Sequence, residues 1–106
     1  MEKNELPIPR GDCFEAAARF IREVAMDNPE RYLLVHGNVA KLRQDEAVNH
    51  AWVEEGDIVH EVSNKRHLRV LKNEYYKKHR ITNVRTYTLE RTLLLRLKHN
   101  HSGPWD

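Results

Sequence analysis

A chain of 106 residues, 40% hydrophobic and 32% charged, holds enough apolar material for one modest core, too little for two, and too much to stay disordered. No apolar run approaches the roughly 20 residues of a membrane span, and MEKNELPIPR lacks the apolar stretch of a secretion signal, so a cytoplasmic protein without membrane association is expected. The net charge of +2 conceals a division: residues 1–64 carry 7 Lys and Arg against 13 Asp and Glu, residues 65–106 carry 11 against 3, which reads as two complementary surfaces or as a basic face for an anionic partner.

Residues 1–10, with Pro7 and Pro9, read as an extended lead-in to a single domain. A helix is expected from Asp12, a good N-cap with Glu15 in the capping-box position. Phe14, Ala17, Ala18, Ile21, Val24 and Ala25 recur along it at helical spacing, and Asn28-Pro29 stops it. Residues 31–42 (RYLLVHGNVAKL) read as a central strand in which Gly37 marks a bulge or a close approach. After a polar Gln44-Asp45-Glu46 connection, HAWVEEGDIVHEVS (50–63) alternates as two strands around a tight turn, and residues 63–66 end that hairpin. A short amphipathic helix is expected over 71–79, with Leu71, Tyr75 and Tyr76 on its apolar face. A strand is expected over 83–88, then a helix capped by Thr88 that ends at Asn100, leaving 101–106 as a tail. This order predicts an α+β fold: an N-terminal helix on one face of a small antiparallel sheet, with C-terminal helices around a fourth strand.

The chemistry concentrates on Cys13, the chain's one cysteine, which excludes an internal disulfide. At a helix start, free N–H groups and the helix dipole favour a thiolate, although the neighbouring Asp12 and Glu15 oppose it, so an imidazolium is needed beside it. A two-residue Glu55-Gly56 loop would put Trp52 opposite Val59 and His50 opposite Glu61, close enough for a carboxylate to orient an imidazole. A three-residue loop would instead turn Glu61 to the other face. Cys13, His50 and Glu61 thus supply the nucleophile, the base and the orienting acid of cysteine catalysis.

GDCFEAA at a helix start, HAWVE in a strand and IVHEV in the next resemble the core of the papain and transglutaminase-like cysteine enzymes over about residues 11–64. The resemblance implies a papain-like fold, Cys13 as nucleophile, His50 as base and acid, Glu61 as orienting acid, and a protein, peptide or amide substrate, with no cofactor or metal. The whole chain is also similar to small uncharacterised bacterial and phage proteins, from which no activity transfers. Two features depart from the family pattern: the acid is Glu61 rather than Asp, with Asn64 as an alternative orienter, and no Gln precedes Cys13 to donate to an oxyanion. The Cys13 backbone N–H is one donor, and Trp52, Asn38, His36 or a backbone group is the candidate second. Seven histidines raise the question of a metal site, but no H-x-x-x-H or Cys pair has ligand spacing. A competing reading is a non-catalytic binder for nucleic acid or an acidic protein. It would use Lys72, Lys77, Lys78 and Arg80, with Tyr75, Tyr76 and Tyr87 as stacking platforms.

Overall fold

The computed structural model describes residues 12–40, 47–62 and 66–105. In chain order these form α1 (Asp12–Val24), a 3-10 turn (Pro29–Arg31), β1 (Leu33–Ala40), β2 (Ala47–Glu55), β3 (Ile58–Glu61), β4 (Leu68–Leu71), α2 (Lys72–His79), β5 (Thr82–Tyr87) and α3 (Leu89–His99). The strands make one antiparallel sheet in the order β4-β3-β2-β1-β5, so the α+β class follows as the sequence predicts. The lead-in, the Gln44–Glu46 connection and the candidate Asn64 lie outside the described residues.

Strand alternation divides the core in two. On one face Leu34, Ala51 and Val53 pack against Phe14, Ala17 and Ile21 of α1 and Leu89 of α3. On the other, Val35, Trp52 and Val59 pack against Tyr75 of α2. Burying each such Val, Ile or Leu side chain contributes about 1.5–3 kcal/mol. Gly37 meets both readings of its position. The β1–β5 register shifts between His36 and Asn38, and a Cβ on Gly37 would lie 2.9 Å from Trp52 Cη2, so the indole lies across bare backbone.

Three expectations need correction, and Glu15 takes a partner that the sequence does not suggest. The hairpin loop is Gly56-Asp57, with Gly56 at φ 58°, and β2 pairs with β3 as Val53↔His60, Glu54↔Val59 and Glu55↔Ile58. Val59 therefore opposes Glu54 and not Trp52, a slip of two residues that keeps every side chain on its expected face. A fifth strand, β4, pairs with β3 from Ile58↔Leu71 to Glu61↔Leu68 and takes Leu71 out of the expected helix. Glu15 is engaged by the C-terminal segment, where Ser102 Oγ donates to it at 2.7 Å. Residues 101–105 are folded back and do not trail: Trp105 Nε1 donates to the His101 carbonyl at 2.9 Å, and its ring packs on His36 and Tyr87. The Thr88 cap is as predicted, its hydroxyl accepting from Arg91 N at 3.1 Å.

Candidate active site

α1 begins at Asp12, so Cys13 stands in its first turn, 4% exposed at the edge of the apolar cluster it shares with Phe14, Ala51 and Val53. His50 is on β2 opposite Gly37, on the Trp52 face of the sheet. Among the described residues the β2–β3 ladder ends at Val53↔His60, short of His50. There the start of α1, which packs chiefly on β2, brings Cys13 close enough to the imidazole to act on its titration, although helix and ring belong to opposite faces.

Continuing the register puts Glu61 level with Trp52, diagonal to His50 and not opposite it. Diagonal neighbours are about 7–8 Å apart. The extra methylene of Glu spans that gap: both carboxylate oxygens lie 3.0 Å from His50 Nε2. The structure thus brings Cys13, His50 and Glu61 together. Burial alone would lower the His50 pKa, but the hydrogen bonds that the protonated ring donates to Cys13 and Glu61, and the negative charge of those groups, outweigh it and raise the pKa to about 9.

Two tyrosines extend the network from α2. Tyr75 Oη donates to Glu61 Oε1 at 2.5 Å, while its buried ring packs on Trp52 and His79. Burial, then the Glu61 carboxylate, pushes the Tyr75 phenol up, so it is held as a donor. Tyr76 Oη donates to Glu54 Oε2, which also accepts from Trp52 Nε1 at 3.0 Å, while Lys72 Nζ lies 3.2 Å from Glu54 Oε1. The network therefore fixes the carboxylate that fixes the imidazole. Neither tyrosine announces this in KNEYYKKHR, because what directs them is the hydroxyl and not apolar periodicity.

These contacts bear on the remaining candidates. The Trp52 N–H is committed to Glu54, and the Asn38 amide donates to Asn49 Oδ1 at 2.7 Å. His36 is buried with Phe14, Tyr87 and Trp105, ring centroids 4.8–5.1 Å away, and neither ring nitrogen has a hydrogen-bond partner among the described residues. Burial, then the Arg85 charge, lowers its pKa to about 4. It stands with Ala51 on the α1 face, away from the His50 ring. Of the basic candidates, Lys72 is paired with Glu54, whereas Lys77, Lys78 and Arg80 are exposed at the end of α2. The stacking platforms are not free: Tyr75 is buried, Tyr76 and Tyr87 are half-buried, and the hydroxyls of Tyr75 and Tyr76 go to carboxylates. Among the described residues, no group of three or more His, Cys, Asp and Glu is arranged to hold a metal ion, and no helix is long and apolar enough to cross a membrane.

No protein-family model, curated protein or solved structure matches this chain.

Proposed function

We propose that this protein is a cysteine-dependent acyl-transfer enzyme of the papain and transglutaminase-like kind, acting on a protein, peptide or amide substrate. The observation that carries the reading is His50, buried between a thiol and a carboxylate that holds Nε2 through both oxygens. Three polar groups brought together from α1, β2 and β3 in this order of contact serve the chemistry of a thiol nucleophile. In that chemistry the proton given up by the thiol already rests on His50, whose raised pKa holds it, when Sγ attacks the carbonyl carbon. The Cys13 backbone N–H and its neighbours at the start of α1 stabilise the oxyanion. Collapse expels the amine, which leaves with the proton from His50, and the thioester then passes its acyl group to water or to a second amine. Glu61 and Tyr75 keep the imidazole oriented through both half-reactions.

A second reading is favoured by the 4% exposure of Cys13 and by exposed Lys77, Lys78 and Arg80: a non-catalytic binder for nucleic acid or an acidic protein on the same scaffold. Iodoacetamide alkylation at pH 6 separates the two. The enzyme reading expects rapid modification of Cys13 that collapses in His50→Ala and slows in Glu61→Gln, in variants that retain the wild-type circular dichroism. Slow modification, indifferent to His50, sinks it. The binder reading then expects salt-sensitive affinity for single-stranded nucleic acid that is lost when Lys77 and Lys78 become Glu and is unchanged in Cys13→Ala.

A further inference from the structure

A second imidazole network lies on the α1 face of the sheet, apart from His50. Arg31 Nε donates to Glu55 Oε2 at 2.7 Å, Glu55 Oε1 lies 2.8 Å from His60 Nε2, and His60 Nδ1 lies 2.9 Å from His67 Nε2. His60 is 4% exposed, its ring centroid 5.1 Å from that of Phe20 and 6.3 Å from that of Tyr32. His67, just before β4, packs on Phe20 at 4.9 Å but is exposed, and with Arg19, Phe20, Glu23, Val62 and Arg66 it lines a groove of about 220 Å³.

Counting protons along this chain shows what the groove is offered. The Glu55 carboxylate accepts only, so His60 carries its proton on Nε2. In the neutral pair His60 Nδ1 is then an acceptor, His67 must donate from Nε2, and the remaining His67 nitrogen, Nδ1, bears a lone pair. Add one proton and the answer reverses whichever ring holds the charge. Either His67 is protonated on both nitrogens, or His60 donates to His67 Nε2 and the His67 proton moves to Nδ1. Both forms present an N–H at Nδ1. The pair therefore converts one proton into a change from acceptor to donor at the ring that lines the groove.

We propose that this groove is a binding site for a phosphate-class oxyanion, seated between Arg19, Arg66 and His67, whose binding is coupled to uptake of a proton by the His60–His67 pair. Guanidinium groups are suited to such oxyanions. A phosphate monoester also titrates near neutrality, with a second pKa of about 6, so anion and imidazole can share one proton. The groups that face His67 set the direction. His60 on β3, Arg69 on β4, Arg66 beside it and Arg19 on α1 disfavour its charge, Glu23 on α1 and Glu55 behind His60 favour it, and burial adds to the first set. Its pKa is lowered, chiefly by partial desolvation of the ring and then by His60 and Arg69. A bound anion restores it, so affinity rises as pH falls through the ordinary histidine range. Arg19 shares its charge with Glu15 at 3.7 Å, and Glu23 is an acidic competitor within the groove. Phe20 and Val62 supply an apolar wall, which favours an ester carrying an apolar group over free phosphate.

The site does not rest on the acyl-transfer reading, and the Cys13→Ala protein serves equally well to test it. Inorganic phosphate and phenyl phosphate are titrated separately at pH 6 and pH 8, with backbone and imidazole resonances followed by NMR and proton uptake measured by calorimetry in buffers of different ionisation enthalpy. Saturable shifts at Arg66 and His67 are expected, stronger at pH 6. Arg66→Ala should weaken binding about tenfold, as loss of a charged hydrogen bond implies. His67→Gln should abolish the pH dependence and the proton uptake, and Glu23→Gln should tighten binding. Tighter binding of phenyl phosphate identifies an ester as the ligand, and equal binding identifies free phosphate. Absence of saturable shifts, or shifts that persist in both Arg66→Ala and His67→Gln, overturns the proposal.

Discussion

His36 and His50 stand on neighbouring strands, each buried, and the protein drives them in opposite directions. His36 has an aromatic box and the nearby charge of Arg85, and its pKa falls to about 4. His50 has a thiol and a doubly bonded carboxylate, and its pKa rises to about 9. Burial lowers both, so burial does not distinguish a structural imidazole from a reactive one. The partners do. An imidazole whose charged form is stabilised by a carboxylate and a thiol is prepared for proton transfer, while one surrounded by rings is kept neutral.

The comparison breaks first, and by the largest amount, on rate. If the proposed reaction is correct, His50→Ala lowers acyl transfer by about 10²–10⁴-fold, the range for loss of general acid–base help, while His36→Phe leaves the turnover of the folded fraction unchanged. Equal losses in a substrate-turnover assay would erase the distinction.

The pH dependence of stability comes next. The folded pKa of His50 is above its unfolded value of 6.5, so its stabilisation is fully present below pH 6.5 and is lost as pH rises toward about 9. The folded pKa of His36 is below 6.5, so its contribution is present above pH 6.5 and is lost as pH falls toward about 4. Urea melts across this range should show Glu61→Gln flattening the alkaline limb and His36→Phe reducing the slope of the acid limb. The carboxylates Glu15 and Glu55, with pKa values lowered chiefly by Ser102 and His60, retain a residual acid slope.

A smaller effect is expected at Gly37, which lies between His36 in sequence and His50 across the ladder. Gly37→Ala forces a Cβ toward Trp52 Cη2 and should cost about 1–3 kcal/mol of overpacking, measured by denaturant melt. The smallest is Tyr75→Phe. It removes one hydrogen bond to Glu61 but keeps the ring, and should reduce Cys13 alkylation by about tenfold with little change in the fold. No change in alkylation would mean that Glu61 needs no support from α2.

Much of this site is legible in the sequence because it rests on parity and periodicity. Phe14, Ala17, Ala18 and Ile21 mark the buried stripe of α1 and so fix the helix that carries Cys13. The alternation in HAWVE and IVHEV sets His50 and Glu61 on one face, and the slip of two in register does not disturb it. The slip does matter to the chemistry of the acid. At the diagonal position the length of Glu61 is an advantage, whereas opposite His50 it would be a surplus.

Other parts carry no such period. LRVL is four residues long and mostly exposed, so nothing but its pairing with β3 makes it a strand, and without β4 the approach of His67 to His60 is invisible. Tyr75 and Tyr76 are adjacent on a short helix of weak amphipathic character. Their roles come from hydroxyls that reach carboxylates 14 and 22 residues earlier, a relation no local pattern encodes. His36 reads as a polar residue open to a ligand because its aromatic box is assembled from Phe14, Tyr87 and Trp105, at both ends of the chain.

The hydrogen bond from Ser102 to Glu15 joins residues 87 apart and braces α1 against the segment that follows α3. Contacts of such long sequence separation carry a large loop-closure cost and form late in folding. The helix that carries Cys13 is therefore among the last elements to be secured. Loss of the Ser102 hydroxyl would leave that helix unbraced, so the placing of Cys13 depends on a residue far from it in sequence.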